Sequence, residues 1–149
     1  TVGYTLNLVT GDEYWAIKNK GCWLNGRPIR TQRDDYIHLI AFDAQDQKRD
    51  ISRILPLLSM AERSRCIGST ALETAMVAGG VFSIFVLPFL SRTFDFAAGW
   101  LMIKEAGGVI TDIEGNELDG LTIGLEKSNN ILASGNDRLH KKALNALNI

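Results

Sequence analysis

Apolar and polar positions alternate at the start of the chain and recur at helical spacing further on. Residues 4–9 (Tyr4-Thr5-Leu6-Asn7-Leu8-Val9) read as a strand, Thr10-Gly11-Asp12 as a turn, and Glu13-Tyr14-Trp15-Ala16-Ile17 as a second strand, which predicts a β-hairpin. Lys20-Gly21 and Asn25-Gly26 are turn signals around Cys22-Trp23-Leu24. Ile37 to Phe42 is a short buried strand ending at Asp43. Ile51, Ile54, Leu55 and Leu58 predict a helix, which Pro56 should kink or break because it lacks an N–H and crowds the preceding turn. Arg65-Cys66-Ile67 is a brief strand. Gly68-Ser69-Thr70 opens a helix, with Thr70 and Glu73 as a capping box and Leu72, Met76 and Val77 inward. Residues 81–86 read as a strand. Asp95 heads a helix over residues 96–106 that is apolar nearly all round, and Gly107-Gly108 stops it. Residues 109–113 and 131–134 are strands, with Glu114-Gly115-Asn116 as a turn between them. Residues 137–147 form an amphipathic helix with Leu139, Ala143 and Leu147 inward.

Strands alternate with helices from about Ile37 onward. The pattern predicts a layered α/β domain with a mixed, mostly parallel sheet flanked by helices, and an antiparallel hairpin at its N-terminus that belongs to a neighbouring sheet. The 149 residues are one domain's worth. A chain that begins at Thr1, already inside a strand, is expected to be a processed or cut piece.

Composition narrows the functional classes. With a net charge of -1, nothing favours nucleic acid or an anionic membrane. Cys22 and Cys66 are too few for a disulfide framework or a zinc site and read as reduced thiols in a cytoplasmic protein. The longest apolar stretch, residues 77–90, is interrupted by glycines and a proline and is too short to span a bilayer.

Two places carry candidate chemistry. At Ile67-Gly68-Ser69-Thr70, a strand end, a glycine and a helix start together present free N–H groups and the positive end of a helix dipole. That suits an anion or sugar hydroxyls, and it equally suits a plain N-cap. At Arg92-Thr93-Phe94-Asp95, one carboxylate heads an apolar helix. It reads either as a cap or as a ligand for a hard cation such as Mg²⁺. His38 and His140 are isolated and take core or surface roles. Lys18 and Lys20 are solvated, and Cys66 has only Arg65 beside it to favour a thiolate.

In combination these segments resemble the inositol monophosphatase family. The carriers are Gly11-Asp12-Glu13-Tyr14-Trp15-Ala16 with Lys20-Gly21-Cys22-Trp23-Leu24-Asn25-Gly26, then Arg65-Cys66-Ile67-Gly68-Ser69-Thr70-Ala71-Leu72 with Val77-Ala78-Gly79-Gly80. The most specific is Phe94-Asp95-Phe96-Ala97-Ala98-Gly99 with Glu105-Ala106-Gly107-Gly108-Val109-Ile110-Thr111-Asp112. The likeness runs from about Gly3 to Leu147 and matches the family's C-terminal half. It implies an α/β/α/β/α sandwich, hydrolysis of phosphate monoesters of inositol or of sugars such as fructose 1,6-bisphosphate, two or three Mg²⁺ ions and a homodimer. It implies Asp95 as a metal ligand, Gly68, Ser69 and Thr70 as substrate contacts, and Arg92 as a further substrate contact. The hairpin over residues 1–30 would then join the sheet of the other half.

The departures matter as much. The family's glutamate segment and Asp-Pro-(Leu/Ile)-Asp-Gly-Thr motif, which carry the other metal ligands, are absent; Asp119-Gly120 stands in the wrong context. Ser83 and Leu87 stand where family members commonly carry acidic residues, Leu87 in a loop over residues 87–93. Two expectations follow. In the first, the chain is one half of a Mg²⁺-dependent phosphatase and is inactive alone. In the second, it is a non-catalytic domain that binds a phosphorylated metabolite or serves as an assembly partner.

Overall fold

The computed structural model describes residues 1–44 and 50–147. Its first part is an antiparallel sheet of β1 (Val2–Leu6), β2 (Glu13–Ile17), β3 (Gly21–Leu24) and β4 (Arg27–Pro28), in that order. The expected hairpin is present, but its first strand starts earlier and ends at Leu6. Asn7 Oδ1 accepts the N–H groups of Val9 at 3.0 Å and Thr10 at 3.4 Å, so the chain turns there and leaves Leu8 and Val9 exposed. Alternation along β2 and β3 buries Tyr14, Ala16 and Cys22, while Trp15 and Trp23, paired across the ladder, stack with centroids 4.2 Å apart.

The second sheet has the order β6-β5-β7-β9-β8, built from β5 (Leu39–Phe42), β6 (Arg63–Arg65), β7 (Ile84–Arg92), β8 (Val109–Thr111) and β9 (Lys127–Ser134). β5 runs parallel to β6 and β7; β9 is antiparallel to β7 and β8. The sheet is therefore mixed, parallel at one side and antiparallel at the other. β6 lies two residues before the expected strand, and Cys66 and Ile67 follow it, exposed.

The helices are α1 (Leu55–Leu58), α2 (Thr70–Ala78), α3 (Thr93–Ala106) and α4 (Asp137–Leu147). Pro56 does not break a helix. It sits in the first turn of α1, where a missing N–H costs little, and a 3₁₀ turn, Ser52–Ile54, precedes it. Residues of β5, β7 and β9 divide by strand alternation between two cores. Ala41, Phe85, Leu87, Ile131 and Ala133 face α2, α3 and the first sheet. Ile40, Ile84, Val86 and Leu132 face α1 and α4. The described layers are thus sheet, helices, sheet, helices.

The small residues of α3 let its neighbours approach. A Cβ on Gly99 would overlap the Thr74 side chain of α2, so only glycine fits that crossing. Glu105, near the end of α3, accepts N–H bonds from Asn19 at 2.7 Å and Gly21 at 3.0 Å, fastening the β2–β3 turn to the helix. That gives the Glu105-Ala106-Gly107-Gly108 block a structural reason, and α3 stops at Gly107 as expected.

Candidate functional site

The parallel strands β5, β6 and β7 all point their C-terminal ends the same way, and a cleft of about 540 Å³ opens there. Its lining brings together Gly68, Ser69 and Thr70 with Leu87, Arg92 and Asp95, so every site residue expected from the sequence meets in one place. Asp43, Phe89, Leu90, Ser91 and Lys127 line it too and were not singled out. Asp43 had a signal: a carboxylate directly after a buried strand. Lys127 had none, because its position depends on the pairing of β9 with β7.

Gly68 has φ of 81°, the left-handed backbone that favours glycine, and turns the chain from the β6 side into α2. The capping arrangement is shifted one residue back from the expected box. Ser69, not Thr70, is the N-cap, its Oγ accepting from Leu72 N at 3.4 Å. Glu73 reaches back to accept the Ile67 N–H at 2.9 Å. It lies fully buried beneath the loop, and its Oε2 has no hydrogen-bond partner. Burial pushes this carboxyl up to about 7, the Ile67 N–H opposes the rise, and the charge of Asp43 adds to it.

The opposite wall corrects the sequence reading. Residues 87–92 are not a loop; β7 continues to Arg92 and runs straight into α3, which starts at Thr93. The ladder with β9 passes from Leu87–Ile131 to Ser91–Asn129 and Arg92–Lys127, with register shifts on the way. Pro88, which cannot donate to the ladder, lies in that irregular stretch beside Phe89 and Leu90. Because the strand feeds the helix directly, the N-cap is Arg92, and it makes no side-chain cap bond. Asp95 therefore caps nothing. It is half-buried in the first turn of α3 and faces the cleft, where the helix dipole favours a negative charge.

Ser83 lies away from this cleft. It is fully buried at the other end of β7, donating to Gln32 Oε1 at 2.6 Å and accepting from His38 N at 3.0 Å. A serine there holds the start of β5 and does not alter the cleft. Leu87, by contrast, is an apolar part of the cleft wall. His38 is exposed beside Asp34. His140 is buried between Thr111 Oγ1 at 2.9 Å and Ser134 Oγ at 3.0 Å, and burial holds it down to about 4. Cys22 and Cys66 are free thiols; burial pushes Cys22 up to about 11. No helix among the described residues is long and apolar enough to cross a membrane.

The donor chemistry tests the implied metal. Asp95 offers the hard oxygen that Mg²⁺ takes, but the described residues contain no group of three potential ligands that could hold an ion. The donor type fits and the donor number does not.

The fold is layered α/β, and its cleft at the strand ends has a helix N-terminus on one side and a carboxylate on the other. The sequence profile of the inositol monophosphatase family matches residues 1–148, and the chain belongs to that family. It is 35% identical over 149 residues to a fructose-1,6-bisphosphatase/inositol-1-monophosphatase of Methanothermobacter thermautotrophicus, covering 99% of this chain and 53% of that protein. It is 34% identical over 152 residues to a bifunctional NADP phosphatase/NAD kinase of Methanococcus maripaludis, covering 95% of this chain and 26% of that one. Among solved structures, the extragenic suppressor protein suhB of Bartonella henselae superposes with a TM-score of 0.85 at 28% identity, over 99% of this chain and 56% of that one. The chain spans about half the length of the Methanothermobacter relative and of the Bartonella suhB structure.

Proposed function

We propose that this chain is the C-terminal half of a Mg²⁺-dependent phosphatase that hydrolyses small sugar-phosphate monoesters. The observation that carries the reading is the convergence of Gly68, Ser69, Thr70, Arg92 and Asp95 on one cleft. In this reading the α2 N-terminus and its loop hold the ester's oxygens, Arg92 grips an anionic group, and Asp95 contributes one carboxylate to the metal site. Mg²⁺, when bound, supplies Lewis-acid stabilisation of the phosphoryl oxygens. The remaining ligands belong to the other half of the family fold, so the isolated chain is inactive.

An apolar groove of about 480 Å³ between β1 and α3 supports a partner there. Val2, Tyr4, Phe94 and Ile123 line it and stand exposed, and β1 is the sheet's edge strand. Its occupant is the other half, whose sheet β1 to β4 would extend. The family resemblance adds a homodimer, and the free thiols support a cytoplasmic setting.

Leu87 shapes the substrate preference. A carboxylate there would accept hydrogen bonds from neighbouring ring hydroxyls, and leucine accepts none, so the wall selects weakly for inositol. Sugar bisphosphates or other doubly anionic esters are the better substrates. The test is the ratio of specificity constants for fructose 1,6-bisphosphate and inositol 1-phosphate on the two-half protein, with Arg92→Ala alongside. A strong inositol preference unchanged by Arg92→Ala would defeat this assignment. The same Leu87 favours the second reading, a non-catalytic metabolite-binding domain, which requires the two-half protein to bind such esters without turning them over.

A further inference from the structure

We propose that Lys127 is a specificity-determining residue that, with Arg92, forms a two-cation clamp for the non-reacting anionic group of a doubly anionic phosphate ester. The inference rests on the phosphatase reading but adds a residue and a subsite to it. The sequence places these two residues 35 positions apart. The irregular β7–β9 ladder makes them register partners, and both line the same cleft.

Three features bear on this pair. Side chains directly opposite each other in an antiparallel ladder have Cβ atoms about 5 Å apart, and like charges there repel. No ion pair among the described residues relieves either one, and Arg92 stands over the Phe94 ring, 5.8 Å from its centroid. The position of Lys127 is also built. Thr93 Oγ1, at the start of α3, donates to Thr122 O at 3.0 Å and accepts from Gly124 N at 2.7 Å, which ties the segment leading into β9 to the helix that carries Asp95.

Two cations that are register partners and line the same cleft suit a shared dianion. A phosphate group fits: Arg92 meets two oxygens in a planar fork and Lys127 meets the third as a point charge. The ester's other phosphate is then left for the Gly68–Thr70 loop. At about 540 Å³ the cleft falls within the volume range usual for small-molecule sites.

The test is titration of the 149-residue chain with fructose 1,6-bisphosphate and with fructose 1-phosphate, followed by calorimetry and by the amide shifts of Arg92 and Lys127. The bisphosphate should bind roughly tenfold more tightly, the worth of one charge-assisted contact in a partly exposed site. Lys127→Gln should abolish most of that ratio while leaving binding of fructose 1-phosphate, which lacks the clamped group, nearly unchanged. Lys18→Gln, at an exposed lysine in the β2–β3 turn, should change neither. The inference is overturned if the chain does not bind the bisphosphate, if Lys127→Gln leaves the ratio intact, or if Lys127→Gln and Lys18→Gln weaken both esters alike. Hydrolysis by the two-half protein that needs Asp95 but keeps its bisphosphate preference in Lys127→Gln would sink this inference and leave the phosphatase reading standing.

Discussion

Glu73→Gln should remove a pH dependence that the wild-type chain partly conceals. The Glu73 carboxyl is fully buried, and its value rises from 4.5 to about 7 on folding. A raised carboxyl lends stability that is complete below about 4.5 and is lost as pH climbs through 7, because the native state holds a proton that the unfolded state has released. The shift corresponds to roughly 3 kcal/mol between those limits. His140 runs the other way. Its value falls from 6.5 to about 4, so its stability is present above 6.5 and lost as pH falls towards 4, with a similar magnitude. Between about pH 4.5 and 6.5 the two slopes oppose each other, and the wild-type profile is nearly flat. The glutamine keeps an oxygen for the Ile67 N–H. Its amide nitrogen inherits the unpartnered place of Oε2, a cost of about 1–3 kcal/mol that does not vary with pH. The informative quantity is therefore the difference between variant and wild type across pH. Urea unfolding at half-unit steps from pH 4.5 to 8 should show the variant gaining roughly 3 kcal/mol on wild type, equivalent to a relative rise in Tm of about 10 °C. Parallel profiles would refute the assignment of a buried, proton-retaining Glu73.

Other consequences are simpler to read. Gly99→Ala drives a methyl into Thr74 and should destabilise the chain by about 1–3 kcal/mol in denaturant melts, with recovery in the Gly99→Ala/Thr74→Ala double variant. Purified alone, the chain should release no phosphate from fructose 1,6-bisphosphate or inositol 1-phosphate with Mg²⁺ above the buffer rate. Clear turnover would mean this chain by itself holds a complete metal site. Glu105→Ala removes the acceptor for the Asn19 and Gly21 N–H groups and should cost about 1–2 kcal/mol, with faster amide exchange confined to the β2–β3 turn.

Elements with their own local signals were legible in the sequence. Helix α4 matches its expected bounds because its apolar stripe is regular. The first hairpin and the stop at Gly107 rest on turn chemistry that acts within a few residues. What failed was whatever tertiary pairing decides. β7 extends through Pro88 to Arg92 because β9 lies beside it, and no local rule makes residues 88–92 a strand. That one pairing moved the N-cap from Asp95 to Arg92, freed Asp95 from a capping role and brought Lys127 into the cleft. Ser83 misled for a related reason. A substituted acidic position suggested a damaged site, whereas the strand direction puts Ser83 at the far end of β7 from Leu87.

The most direct test of the central claim is Asp95→Asn in the protein that contains both halves of the fold. The substituted amide would keep the shape of a side chain that caps nothing, and would lose only a helix-dipole interaction of about 0.3–1 kcal/mol. Thermal stability should therefore stay near wild type, while Mg²⁺-dependent release of phosphate from fructose 1,6-bisphosphate falls by at least about 100-fold, the worth of several kcal/mol of metal-assisted stabilisation. A variant as active as the parent, with an unchanged Mg²⁺ requirement, would contradict the assignment of Asp95 and the phosphatase site built around it.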